Sequence, residues 1–556
     1  MAKEPAENEA LKQTEAVPEP SAPESGPVES QDYHAAVAKS TLKMSLSTLL
    51  SRITGFIRTW ACAFAIGNTL LASAYQVANN MPNMIYELVA GGILTTAFLP
   101  VYVAQLKKRG KDGAGDYAST ILALGAIVLG IITILATIFA RPVIFTQTFM
   151  TNGQDAELAV FFFRFFAIQI IFYGIGAIIS GILNGHREFL WPAIGPVFNN
   201  VIVIITMFAF VPISGSNPQL AKVVLACGTS LGVLGQFAVQ LPALKKLGLP
   251  LRLHIDIHDP ALKETLKLAI PATIFVVVNI LVISCRNAFS LNVAPNGPST
   301  LSYAWLWYQF PYGVLAVALS TAMLTEMSES AAVQNWEKFR ENVRGGLSGT
   351  MFLIIPLAML MFALAEPLIS LYHAGQFTSS DISQVSFILR VWSVSLPFYA
   401  GYMYLYRSFS AMQDLGLVTK IDVIGRVLQS GMYFVFTSYF GLGGIPVADG
   451  IFYFFAFFVL CFVMKRKVGS YGFWKMMSTV IRSTIASTIA AAIAFLLVYW
   501  TWGSNGILAS FGAVLWIGIL GLVIFYLIAK LLRTPETELI GQIGRRIGNR
   551  FFGRSK

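Results

Sequence analysis

Fourteen stretches of this chain are continuously apolar and long enough to cross a bilayer as helices. They lie at about 44–66, 70–104, 119–140, 157–184, 189–211, 219–240, 264–289, 299–326, 347–371, 382–411, 419–440, 445–464, 476–500 and 506–532. Crossing the hydrocarbon layer takes about 20 apolar residues of α-helix. Inside that layer every backbone polar group must find its partner within a helix or a closed barrel. The strict alternation that a membrane barrel requires is missing from these runs. Charged residues make up only 12% of the 556, about half the share in a soluble globular chain. The sequence therefore specifies an all-α polytopic membrane protein and excludes a cytosolic enzyme.

Charge then sets orientation. The net charge is +11, yet residues 1–34 hold eight acidic and two basic side chains and contribute −6. This Pro- and Glu-rich stretch lacks an apolar core, so residues 1–40 read as a disordered acidic extension rather than a signal peptide. The basic excess gathers in alternate loops, at Lys107–Arg109, Lys111, Arg187, Lys245, Lys246, Arg252, Lys338, Arg340, Arg344 and Lys465–Lys467. A basic tail, 533–556, extends the pattern. The intervening loops offer Arg141, with Lys222 and Arg286 near outer helix ends. The positive-inside rule places both termini in the cytoplasm, Lys108 and Lys467 inside, and Asn296 and Ser380 outside. In the tail, Ile540, Ile543, Ile547 and Phe551 share a helical face that suits an anionic membrane surface, although three glycines weaken it.

Much chemistry is missing from the sequence. There is no Walker A, HExxH or GxSxG motif and no His/Cys metal constellation. Cys62, Cys227, Cys285 and Cys461 lie in apolar segments and read as core residues. No soluble basic domain exists to bind nucleic acid. The reading is a non-enzyme with no cofactor and no metal, whose coupling (membrane potential, Na+ or H+) stays open.

Polar side chains inside a span normally face a cavity or a partner. On the first span Thr48, Ser51, Arg52, Gly55, Arg58, Thr59 and Cys62 share one helical arc, opposite Leu49, Ile53, Phe56, Ile57, Trp60 and Phe64. On the second, Gln76, Asn79, Asn80, Asn83 and Glu87 form a stripe around Pro82, which removes a backbone hydrogen bond. The eighth carries Ser302, Gln309, Gly313 and Ser320 on one face, interrupted by Pro311. These three helices predict a water-filled central cavity; hydrogen bonding in a dry bundle is the alternative. Arg407, Asp414, Asp422 and Arg426 predict a local ion-pair cluster, and Asp449 is placed to accept hydrogen bonds or a cation. Leu94–Leu99 and Leu319–Leu324 hint at an internal duplication six spans apart.

The run Leu50-Ser51-Arg52-Ile53-Thr54-Gly55-Phe56-Ile57-Arg58 resembles the SRxxGFxR opening of the MurJ/MviN family. Met81-Pro82-Asn83, Gly91-Gly92, Ala97–Pro100, Ile182–Asn184, Gln240-Leu241-Pro242, Phe310–Leu315, Leu371–Thr378 and Gln413-Asp414 continue the resemblance in the family's order. It implies a MOP-exporter fold with six-helix lobes at 41–245 and 246–470 and two extra helices at 471–532. It also implies an activity: flipping lipid II, the polyprenyl-linked peptidoglycan precursor, across the bacterial cytoplasmic membrane by alternating access. Arg52 and Arg58 match two arginines of the family's cationic cavity, where a planar guanidinium binds phosphate bidentately. Departures occur at Tyr86, Glu87, Gly91 and Leu306, where family members carry other charges.

Substrate binding is thus expected from Arg52, Arg58, Glu87, Asn79, Asn80, Asn83, Gln76 and Gln309. Gly55, Pro82, Pro311 and Gly313 are expected to shape or gate the site. Glu87 is expected to pair with one of the two arginines. Lipid II and the membrane are the expected partners, with cell-wall synthesis proteins a further class. Two other readings stay open: a flippase for another polyprenyl-linked oligosaccharide, and a non-transporting cell-wall scaffold. Deleting residues 1–34 should leave insertion and transport largely intact, since that composition cannot bury a core; loss of either in the truncated protein would contradict the reading.

Overall fold

The computed structural model describes residues 27–91, 98–151, 153–251, 256, 259–503 and 506–538, and every regular element among them is helical. The amino-terminal half comprises α1 (Pro27–Ile66), α2 (Leu70–Tyr86), α3 (Leu99–Ile138), α4 (Ala140–Thr148), α5 (Gly153–Phe166), α6 (Gln169–Gly185), α7 (Leu190–Ser216), α8 (Pro218–Ala238) and α9 (Leu241–Lys246). The carboxy-terminal half comprises α10 (Pro260–Val293), α11 (Gly297–Pro311), α12 (Val317–Ala332), α13 (Trp336–Ala363), α14 (Ala365–Ile369), α15 (Ser379–Ala411), α16 (Gly416–Phe440) and α17 (Gly444–Val468). Two further helices, α18 (Phe473–Thr501) and α19 (Ile507–Leu531), pack on one another, with α18 against α13.

Among the described residues ten helical segments are long and apolar enough to cross a membrane, or eleven if Ala156–Phe166 and Gln169–Gly185, bent by 45°, form one span. The fourteen separate spans expected are not all recovered by this measure. One segment, Gly416–Val468, has 53 residues, about 80 Å of helix at 1.5 Å per residue. It is in fact the hairpin of α16 and α17, which pack together and turn at Gly441 with φ +56°. Helix α2, with its amide stripe, is among those that fall short.

Two further expectations need correction, and a third is untested. Helix α1 begins at Pro27, inside the stretch expected to be disordered. Proline is pre-organised for the first turn of a helix, and neither Pro nor Gly recurs before Gly55. Deletion to residue 34 therefore removes about two helical turns as well as the acidic extension. The basic loop at Lys107–Lys111 lies within α3, which breaks at Gly110 (φ +67°, ψ −162°) rather than opening into a loop. The amphipathic run 540–551 and residues 94–97, which carry most of the first duplicated copy, lie outside the described residues.

A different correspondence replaces that sequence echo. Beyond Pro82, α2 widens into a π-helical turn at Glu87–Gly91, and immediately after Pro311, α11 does the same at Tyr312–Ala316. Both proline-bearing helices thus carry the local unwinding that marks bends and functional sites in helices.

The halves have separate cores. Phe162, Phe163 and Phe166 of α5 pack with Tyr75 of α2 in one; Trp392, Tyr308 and Tyr404 are fully buried in the other. At one end the halves are stitched by neutral hydrogen bonds. Asn68 Nδ2 donates to Thr300 Oγ1 (2.9 Å), Ser299 Oγ donates to Asn68 Oδ1 (2.6 Å), and Tyr303 OH donates to the Gly67 carbonyl (2.8 Å). Nearby, the Gln376 amide donates to the Phe64 carbonyl (3.0 Å).

At the other end of the bundle, His186 Nε2 lies 2.9 Å from Tyr102 OH. Partial burial, with a smaller contribution from Lys111, pushes the His186 pKa below its usual 6.5.

The turn between α16 and α17 gives a test of helix packing. A methyl group on Gly444 would drive into the Phe436–Thr437 backbone, whereas one on Gly431 meets nothing within 4 Å. Gly444→Ala should lower stability by about 1–3 kcal/mol, and Gly431→Ala should be neutral or raise it by about 0.5–1 kcal/mol. Thermal unfolding of the detergent-purified variants checks the pair; equal effects would refute the packing at this turn.

Candidate functional site

Where the two halves face each other, α1, α2, α10 and α11 enclose a cavity of about 450 Å³. The amide stripe of α2 supplies one wall. Thr69 caps the helix by accepting from the Ala72 amide, fixing a register in which Gln76, Asn80, Asn83 and Glu87 line the space. Opposite them stand Ser302, Trp305, Leu306 and Gln309 of α11. Arg58 and Thr59 of α1 complete the amino-terminal contribution.

The structure thus brings together Arg58, Gln76, Asn80, Asn83, Glu87 and Gln309 of the expected set. Asn79, half-buried, is not part of the lining, so the α2 stripe is narrower than the helical wheel suggested. Arg52 lies elsewhere too. Its guanidinium rests against α11's π-helical extension, with Nη1 2.8 Å from where a side chain on Gly313 would begin. Gly313 therefore makes room for an arginine from the other half rather than lining the cavity. Gly55 faces α7: Asn200 Nδ2 donates to the Ser51 carbonyl (3.3 Å) and to Thr54 Oγ1 (3.1 Å) beside it. The polar arc of α1 is consequently shared between a helix contact and the cavity. Its apolar arc is divided as well: Leu49 and Ile53 are exposed, while Phe56 meets Trp307 edge-on (5.2 Å). Pro82 is buried and Pro311 half-buried, each on the amino-terminal side of a π-helical turn.

The expected ion pair of Glu87 with an arginine is not present. Asn83 Nδ2 donates to Glu87 Oε1 at 2.8 Å, one turn away on the same helix, and that contact occupies the carboxylate. Among the described residues neither Arg58 nor Arg286 forms an ion pair.

Arg286 is the residue that sequence reasoning misplaced. Near a helix end by its position in the chain, it points from α10 into the central cavity with Asn279 and Asn287. Its guanidinium lies 5.6 Å from the centre of the Trp305 ring, and its buried Nε has no hydrogen-bond partner among the described residues. A signal was available: Asn279, Arg286 and Asn287 are spaced seven and eight apart in an apolar run, one face of a helix.

Arg286 also borders a second cavity of about 490 Å³ inside the carboxy-terminal half. There Asp449 accepts from Trp392 Nε1 (2.9 Å), Gln429 Nε2 (2.6 Å) and Tyr433 OH (2.6 Å). Asp422 accepts from Arg426 Nε (3.0 Å) and Tyr402 OH (2.5 Å). The expected four-residue cluster is therefore dispersed. Asp414 pairs with Lys467, and Arg407 donates to Ser320 Oγ (2.8 Å) and Thr321 Oγ1 (2.9 Å). No group of three metal-ligating side chains occurs among the described residues.

A cavity carrying two arginines without carboxylate partners is chemically fit for an anion. Guanidinium groups retain their charge in poor solvent and grip phosphate oxygens through paired N–H donors.

Comparison with known proteins agrees with this chemistry. The family model described as "Lipid II flippase MurJ" matches residues 62–515. A probable lipid II flippase MurJ from Synechocystis sp. is 25% identical over 90% of this chain and 95% of its own length. The lipid II flippase MurJ of Burkholderia cenocepacia is 29% identical over 74% of this chain and 81% of its own. Among solved structures, a lipid II flippase MurJ in an inward closed conformation superposes with a TM-score of 0.72 at 21% identity, covering 89% of this chain and 99% of that one. An inward-facing multidrug-resistance MATE transporter of the MOP superfamily reaches 0.64 at 16% identity, over 78% of this chain and 98% of that one. The fold is that of the MOP transporters, and the chain belongs to the lipid II flippase MurJ family.

Proposed function

We propose that this protein carries lipid II across the bacterial cytoplasmic membrane, both termini lying in the cytoplasm, by alternating exposure of the central cavity. The observation that carries this reading is the pairing of Arg58 and Arg286 from opposite halves on one cavity wall, with no ion pair to either among the described residues. Two like charges in a confined space favour the apart arrangement of the halves. A pyrophosphate seated between them removes that repulsion and lets the halves close around it. The lipid leaves chemically unchanged, since the cavity needs only to bind, shield and release a charged headgroup.

Neutral hydrogen bonds at Asn68, Ser299 and Thr300 close the cavity on what we assign as the outer side. Such bonds contribute about 0.5–1.5 kcal/mol each, so the seam opens without a large barrier. Rocking of the two six-helix lobes about α2 and α11 at their π-helical turns would then expose the cavity outward.

A phosphate–guanidinium contact contributes about 1.5–3 kcal/mol, which corresponds to roughly one to two decades of affinity. Arg58→Ala and Arg286→Ala should each reduce lipid II binding and flipping by that factor at matched expression. Arg58→Lys should be nearly as harmful, because lysine keeps the charge and loses the planar fork. Arg52→Ala, outside the lining, should be milder. Complementation of a cell depleted of its own lipid II flippase provides the cellular readout. Full activity of the Arg58→Ala, Arg286→Ala double variant would sink the cavity mechanism and favour a scaffold.

Orientation has its own check. Cysteines placed at the exposed positions Ser380 and Lys108, in a background lacking the native four, should react with impermeant reagent from opposite sides of the membrane. Asn296, whose amide donates to Gln384 Oε1 at 2.7 Å, is a poorer reporter because the seam holds it. Labelling of both cysteines from one side would overturn the assignment.

A further inference from the structure

A third cavity, of about 470 Å³, lies wholly within the amino-terminal half and takes no part in the anion contacts described above. Its lining differs in kind from that of the central cavity. Among the described residues no Asp, Glu, Lys, Arg or His borders it; amides and hydroxyls from Ser180, Asn184, Gln236 and Gln240 stand beside aromatic rings. A phosphate or a peptide carboxylate placed there would find no counter-charge, and burying an unpaired charge is strongly unfavourable. An acyl chain would strip the amides of water and return no hydrogen bond. The surroundings fit a ligand that is uncharged, rich in hydroxyl and amide groups, and flat on one face.

Two features sharpen that class. Tyr86 stacks on Tyr173 (6.4 Å, 28°) and Phe172 on Phe237 (5.7 Å, 26°), setting ring faces toward which the weakly positive C–H face of a sugar can pack. Around them, the side chains of Asn184 and Tyr173 make no hydrogen bond among the described residues, although both are half-buried at the cavity wall. Elsewhere in the lining Ser180 Oγ donates to Gln240 Oε1 (2.7 Å) and Asn199 Nδ2 donates to Gln236 Oε1 (3.0 Å), while the Tyr86 hydroxyl, like that of Tyr173, has no hydrogen-bond partner among the described residues. The unpartnered groups thus include both phenols of the Tyr86–Tyr173 stack. The volume falls within the range of small-molecule sites, about 300–1,000 Å³.

The cavity also lies next to the anion site. Asn83 borders both, with its amide already turned toward Glu87 on the central side. A ligand spanning the two would present a charged segment to Arg58 and an uncharged one to the amino-terminal half. A polyprenyl pyrophosphate bearing N-acetylated sugars has that order of groups.

We propose that the amino-terminal cavity is the subsite for the N-acetylated sugar portion of the lipid headgroup, while its pyrophosphate occupies the central cavity. The proposal rests on the flippase reading and names the part of the substrate that this half recognises. It assigns sugar selection to Asn184 and Tyr173, and phosphate affinity to the arginines.

The test uses full-length purified protein and two probes with the same lipid: lipid II, and polyprenyl pyrophosphate lacking the sugars. Ala177→Phe fills the cavity, and the Asn184→Ala, Tyr173→Leu double variant removes two of its free polar groups. Each should weaken lipid II binding about tenfold or more and leave polyprenyl pyrophosphate binding within about twofold. Thermal unfolding confirms that each variant is folded. Unchanged lipid II binding by the filled variant, or equal loss of both probes by folded variants, would overturn the sugar subsite. Wild-type protein that holds lipid II and polyprenyl pyrophosphate no better than uncharged polyprenol would instead overturn the flippase reading itself.

Discussion

A guanidinium group at the depth of a bilayer's centre costs about 2.5–3.5 kcal/mol even on lenient scales, and the helices around Arg58 and Arg286 are arranged about that constraint. Neither arginine forms an ion pair among the described residues, so each depends on the open space of the central cavity and on what fills it. Pro82 and Pro311, each with a π-helical turn beyond it, interrupt the regular hydrogen bonding of the two helices that line the cavity from opposite halves. Trp305 steadies Arg286 from one side through its ring face without neutralising it. The site is therefore charged and unfilled by protein.

The two kinds of polar interaction in the structure divide the work between rigidity and motion. Asp449 and Asp422 in the carboxy-terminal half are buried and accept charge-assisted bonds from several donors each. Such networks hold a single arrangement, because removing any member strands a charge. The hydrogen bonds that join the halves at Asn68, Ser299, Thr300 and Tyr303 use amides, hydroxyls and a backbone carbonyl. Bonds of that type exchange readily with water, which suits a contact that must break and re-form in each cycle.

Resemblance to MATE transporters at 16% identity shows how far one architecture can be shared without sharing a ligand. What separates this chain from a generic member of that architecture is the chemistry of its cavity walls. Arginines from both halves border the central space, and an uncharged, aromatic cavity adjoins it through Asn83. A headgroup with a charged linker and neutral sugars matches that division.

Much of this was written in the order of residues. The continuous apolar runs demanded a helical membrane protein, since nothing else satisfies the backbone in hydrocarbon. The amide stripe on α2 and the position of Arg58 located one wall of the cavity, because side chains about a turn apart share a helical face. Other features depended on packing that no single helix records. Arg52 and Gly55 share the polar arc of α1 with Arg58, yet α7 and α11 pack against that arc and leave the cavity only part of it. Glu87 was expected to seek an arginine, but Asn83 one turn earlier satisfied it first. Arg286 looked like the end of a span, but α10 runs on to Val293 and sets it in the cavity beside Trp305. Helical periodicity determines which residues share a face; only the tertiary contacts decide whether that face meets lipid, another helix or water.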